Sequence, residues 1–99
     1  MKRKKMYISV PITGRVIEDA KMQAEQVKRM WSEDYDVITP FEIHEEVEDE
    51  EKPYSYYMGK DVEVLLECDA IYMCSGWVDS KGCNLEYSIA KIYGIRIIG

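Results

Sequence analysis

The stretch from Trp77 to Ala90 sets one carboxylate, Glu86, at the start of a helical pattern that opens just past a loop containing Ser80 and Gly82. Backbone N–H groups at a helix start favour negative charge. Glu86 is therefore expected in the first turn and ionised, with the loop amides suited to an anion such as phosphate. A ready carboxylate beside an anion cradle is a starting point for chemistry. The plainer reading is that acids gather in first turns for the dipole alone, worth roughly a few tenths of a kcal/mol.

Four other groups bear on the same chemistry. Asp61 lies on a helical stretch ahead of Asp69; alone it reads either as a solvated helix acid or as a second carboxyl group reaching the crevice of Glu86. Tyr7 belongs to a β-rich run, where an aromatic packs in the core, but a phenol near a strand end can also hydrogen-bond a carboxylate and hold its rotamer. Trp77 and the cluster Tyr54, Tyr56 and Tyr57 suit two roles equally, stacking on a flat base or covering a subunit interface. Gly14 and Gly82 are backbone-permissive loop points, and Gly82 also lets a ligand approach the main chain.

The elements that must position these groups follow from periodicity. Met6 to Val10 is a short strand stopped by Pro11, and Ala20, Ala24, Val27 and Trp31 then recur at helical spacing over about residues 16 to 32. Tyr35 to Thr39 reads as a second strand, and the acidic segment from Glu45 to Glu51 as loop or at most a short helix. From Tyr54 to Glu67 helical spacing returns, with Met58, Val62, Leu65 and Leu66 inward. Asp69 to Cys74 is a third strand. A last helix with Leu85, Ile89 and Ile92 inward stops at Gly94, and Ile95 to Ile98 is a fourth strand. The alternation predicts an α/β fold, a four-stranded parallel sheet of order 2-1-3-4 with helices on both faces. Its ligand site should lie at the carboxyl ends of strands one and three, where the chain order reverses.

Size and charge narrow the classes. Ninety-nine residues, 46% apolar and 32% charged, predict one domain spanning residues 1–99. No apolar run approaches the roughly 20 residues needed to span a bilayer, and the Lys-rich start lacks a signal peptide's apolar stretch, so a cytoplasmic protein without membrane contact is expected. The formal charge of −6 argues against a nucleic-acid partner, and the Lys2 to Lys5 cluster reads as a solvated tail. Three cysteines and one histidine match no zinc site, so no metal is expected and the thiols should be reduced and buried. A small domain with Trp31, Trp77 and eight tyrosines is expected to form a homo-oligomer, a dimer or larger.

In order along the chain, Tyr7-Ile-Ser-Val-Pro-Ile-Thr-Gly14, Asp61, Cys68-Asp69-Ala70 and Asp79-Ser-Lys-Gly-Cys-Asn-Leu-Glu86 resemble the nucleoside 2-deoxyribosyltransferase superfamily, most closely its small bacterial and phage members. The resemblance implies a three-layer Rossmann/flavodoxin-like fold. It puts Glu86 at the nucleophile, Asp61 at the substrate- and proton-handling aspartate, and Tyr7 at the strand-one tyrosine near the nucleophile. Ile12, Gly14, Gly82 and Trp77 are expected beside them as substrate-binding positions. Ser80 stands where the 2′-deoxynucleoside 5′-phosphate N-hydrolases have a phosphate-binding serine, which leans toward a 5′-monophosphate. Val10 replaces a common glycine and Thr13 a common arginine. The chain stops right after its fourth strand, where many relatives add a segment that completes a neighbour's site.

The implied activity is cleavage or transfer at the N-glycosidic bond of a (2′-deoxy)nucleoside or its 5′-monophosphate, a small-molecule substrate. Such cleavage builds positive charge on C1′, which a carboxylate can stabilise or capture, while a second carboxyl group protonates the leaving base. No metal or redox cofactor is needed. A phosphoribohydrolase of the cytokinin-activating type would need a run of glycines that this chain lacks. The alternatives are a non-catalytic nucleotide-binding or sensing module and a structural interaction protein on the same fold.

Overall fold

The computed structural model describes residues 3–45 and 52–99. The acidic stretch 46–51 and residues 1–2 therefore lie outside the described residues. Four strands, β1 (Lys5–Ser9), β2 (Asp36–Ile38), β3 (Ala70–Met73) and β4 (Arg96–Ile98), form one sheet of order β2-β1-β3-β4. All three pairings are parallel, with Tyr7 level with Ile38 on one side and Ile71 on the other. The expected order is the observed one. Between the strands run α1 (Ile17–Trp31), the four-residue α2 (Pro40–Ile43), α3 (Tyr54–Leu65), a 3-10 turn (Trp77–Asp79) and α4 (Lys81–Tyr93).

The alternation of side chains along β1 divides the core into two. Met6, Ile8 and Val10 pack with Ala24 and Val27 of α1, whereas Tyr7 packs on the opposite face with Leu65, Ile71, Cys83 and Ala90. Helices thus cover both faces, with α1 on one and α3 with α4 on the other. In α1 the buried Ala20, Ala24 and Val27 keep the spacing read from the sequence. Small residues there let the helix lie close to the sheet.

Three expectations are corrected by the packing. The last helix does not bury Leu85 and Ile92, which are 46% and 77% exposed; Cys83, Glu86 and Ala90 face the sheet instead, with Ile89 half-buried. Size-ranked apolarity set the wrong phase, because Glu86 finds hydrogen-bond donors on β1 and small Cys83 and Ala90 allow a close approach. Leu66 is not inward either: α3 ends at Leu65, and Leu66, as its cap, is 46% exposed. The basic cluster is not a free tail where it is described. Lys5 opens β1, and Arg3 donates to the carbonyls of Ser32 and Tyr35 at 2.6 and 3.2 Å.

Helix boundaries have local causes. Ser80 caps α4, its Oγ accepting from the Cys83 amide at 3.2 Å, and Gly94 ends the helix in the left-handed region at φ 72°. Thr39 caps α2 and Pro40 fills its first position. The Lys28 ammonium meets Glu42 at 2.7 Å and pins α2 to α1. No helix among the described residues is long and apolar enough to cross a membrane.

Candidate functional site

Where the chain reverses between β1 and β3, a cavity of about 630 Å³ opens at the carboxyl ends of the strands. Tyr7, Glu86, Asp61, Ser80, Gly82 and Ile12 all line it. Sequence reasoning put these residues at one site, and they meet there. Glu86 is 4% exposed and is gripped at both oxygens: the Tyr7 hydroxyl donates to Oε2 and the Ser9 hydroxyl to Oε1, each at 2.7 Å. Tyr7 and Ser9 are two apart on a strand and so share a face.

Asp61 enters from α3 and is no solvated helix acid, its side chain being 13% exposed. Its Oδ1 lies 2.7 Å from Nε2 of His44, the residue that ends α2. Tyr54, also on α3, closes over the start of α4. A Cβ at residue 82 would stand 3.0 Å from the Tyr54 hydroxyl oxygen, so a glycine lets the two helices meet. Beyond Tyr54 lies a second hollow of about 670 Å³, which shares Thr13, Ser80 and Gly82 with the first and adds Arg15 and Lys81.

A family described as a domain of unknown function, DUF4406, matches residues 4–99 of the chain. The chain belongs to the DUF4406 family. No curated protein matches it. In this DUF4406 domain every acid, phenol and glycine of the candidate site falls inside the matched span.

The ionisation of the site differs from the sequence expectation. Helix α4 begins at Lys81, so Glu86 sits in the second turn and largely loses the benefit of the helix start. Burial pushes its carboxyl up to about 7, the charge of Asp61 adds to this, and the Tyr7 and Ser9 hydroxyls act in the opposite direction. Burial likewise pushes Asp61 up to about 7, against the Tyr7 hydroxyl. Tyr7 acts on both acids, and its own pKa is raised well above 10 by burial and by Glu86, so it remains a donor. Two carboxyl groups that titrate near neutrality in one cavity can hold one proton between them.

Replacing Tyr7 with phenylalanine leaves Glu86 Oε2 without its donor. Stability is expected to fall by about 1–3 kcal/mol where Glu86 is ionised, at pH 8, and by less at pH 5. Urea midpoints at the two pH values check this.

Two expected substrate-binding residues lie elsewhere. Trp77 stacks on Tyr87, with centroids 4.7 Å apart and planes 21° from parallel, and packs against the second core, not the cavity. Tyr87 offers Trp77 a flat apolar partner within its own domain. Gly14 takes φ 81° in an exposed turn, lines neither hollow and has nothing within 4 Å of a Cβ built there. Of the tyrosine cluster, Tyr54 and Tyr57 line the cavity.

Sequence reasoning missed Ser9, Phe41 and His44. The signal for Ser9 was its place two residues after Tyr7. A single histidine carries no spacing signal beyond its mismatch to a zinc site, and Phe41 sits in a stretch too short to show a period. All three cysteines are free and buried. Among the described residues no three His, Cys, Asp or Glu side chains cluster so as to hold a metal ion.

Proposed function

We propose that the chain cleaves or transfers at the N-glycosidic bond of a (2′-deoxy)nucleoside or its 5′-monophosphate. The observation that carries this reading is the Glu86 carboxyl, held at both oxygens in the cavity with Asp61 in the same cavity. In its ionised form Glu86 attacks or stabilises C1′ as the base leaves; Asp61, protonated, supplies the proton that the base takes with it. Tyr7 and Ser9 fix the rotamer of Glu86 and soften the burial of its charge. Apolar Val10, Ile12, Phe41 and Met58 with Tyr57 suit the faces of a base. Ser80, Arg15 and Lys81 in the adjoining hollow suit a 5′-phosphate.

Atoms and charge balance without a metal or redox cofactor. The C1′–N electrons leave with the base nitrogen, which takes the Asp61 proton, and a C1′–O bond to Glu86 or water replaces them; where water supplies the oxygen, its proton returns to Asp61. Water completing the reaction makes a hydrolase; a second base makes a transferase.

The test is incubation with a panel of ribo- and deoxynucleosides and their 5′-monophosphates, with free base separated by chromatography. One or more deoxy substrates are expected to release base. A panel that binds, as read by a raised melting temperature, yet releases nothing over long incubation would move the reading to a nucleotide-binding module. Val10 in the cavity wall, where a smaller residue would leave more room, is the observation that favours this second reading.

A further inference from the structure

We propose that His44 is the positioning residue of Asp61: its Nε2–H donates to Oδ1, so that the proton Asp61 hands to the departing base is carried on Oδ2. The role in turnover rests on the N-glycosidic reading; the tautomer and its effect on Asp61 do not.

The two side chains are 18% and 13% exposed and meet at 2.7 Å, a short contact for a nitrogen–oxygen pair. The imidazole is held from several sides. Its backbone N–H bonds to the carbonyls of Pro40 and Glu42, and its ring stands edge-on to Tyr57 at 5.0 Å and 86°. Helix α2 is itself fixed by the Thr39 cap and by Lys28 on Glu42.

The other ring nitrogen decides the tautomer. Nδ1 is buried and has no hydrogen-bond partner among the described residues. A proton there would bury an unpaired N–H. A proton on Nε2 instead leaves only an unpaired lone pair, the milder defect, and makes a hydrogen bond to Asp61. Burial lowers the pKa of His44 and favours the neutral ring. Tyr7 on β1, Cys83 and Glu86 on α4, Tyr54 and Tyr57 on α3, Glu45 after α2 and Lys21 on α1 are the other charged or titratable groups in this cavity.

A carboxyl group whose Oδ1 accepts a hydrogen bond carries its own proton on Oδ2. When the C1′–N bond breaks, that proton goes to the base nitrogen with the bond's electron pair. The Asp61 carboxylate left behind keeps the His44 Nε2–H as its donor. No proton leaves His44, so the ring orients and stabilises without being consumed.

His44 is the only histidine of the chain, so histidine labelled with ¹⁵N in the ring gives the spectrum of this one side chain. The expected result is a neutral ring protonated at Nε2 between about pH 6.5 and 8. A ring protonated at Nδ1 alone would overturn the proposal. Carboxyl-¹³C titration of Asp61 is the second arm. His44→Phe should raise its midpoint by about one pH unit, and His44→Gln, whose amide N–H can replace Nε2–H, should restore it in part. A midpoint the same in all three proteins would equally overturn it.

Neither arm needs a substrate, so both stand apart from the outcome of the nucleoside panel. With a responsive substrate, His44→Phe should lower kcat by about tenfold or more with KM little changed, and His44→Gln should recover part of it. A rise in KM with kcat intact would place His44 at the base instead.

Discussion

Base release is expected to fall by at least about a thousandfold when Glu86 is replaced by glutamine, because the group that meets C1′ is lost while the shape of the site is kept. The amide is nearly isosteric with the carboxyl group. The Ser9 hydroxyl can keep donating to the amide oxygen at Oε1, and the Tyr7 hydroxyl can turn to accept from the amide nitrogen at Oε2. The variant should therefore fold, and at pH 8 melt higher than the parent, since no charge is buried at residue 86. Chromatography of free base and a melting curve read the two effects on one sample. Parental turnover in the variant would remove Glu86 from the role of nucleophile.

The second large effect is on stability as a function of pH, and its sign is opposite to that of a salt-bridged acid. The folded protein holds the protons of Glu86 and Asp61 up to about 7, whereas ordinary values are 4.5 and 3.8. Between those limits the folded state binds more protons than the unfolded chain, so stability is full below about pH 4 and declines as pH rises through 7. For Glu86 alone the loss is on the order of 3 kcal/mol, and Asp61 acts in the same direction. His44 works the other way at low pH, because burial disfavours its charged form. Urea denaturation at pH 5.5 and pH 8 should show the decline in the parent and a nearly flat response in Glu86→Gln with Asp61→Asn. A parent equally stable at both values would refute the burial argument. In the same range, the rate of base release should be bell-shaped about neutrality, since one acid must be ionised and the other protonated.

The fold was legible because its signals repeat. Apolar strands separated by helical stretches admit few arrangements, and Pro11, Pro40 and Gly94 mark where elements stop. The phase of α4 was not legible. Leu85, Ile89 and Ile92 look like a core face until Tyr7 and Ser9 are known to present two hydroxyls to Glu86. The charge of Glu86 is not legible for a related reason: spacing shows a dipole effect of roughly a few tenths of a kcal/mol, whereas the burial effect, several times larger, arises only from packing. Phe41 belongs to a four-residue helix and His44 caps it, a stretch shorter than any window in which periodicity speaks. Trp77 shows the limit of residue type as evidence, since the same ring suits a base or a neighbouring Tyr87.

Both outer strands of the sheet are only three residues long, and each opens on an exposed charged residue, Asp36 on one side and Arg96 on the other. A strand from another molecule would find a ladder of few rungs and a charge at its threshold. Polymerisation by edge addition therefore has little to build on, and concentrated solutions of the folded chain should resist fibril growth until the sheet itself opens.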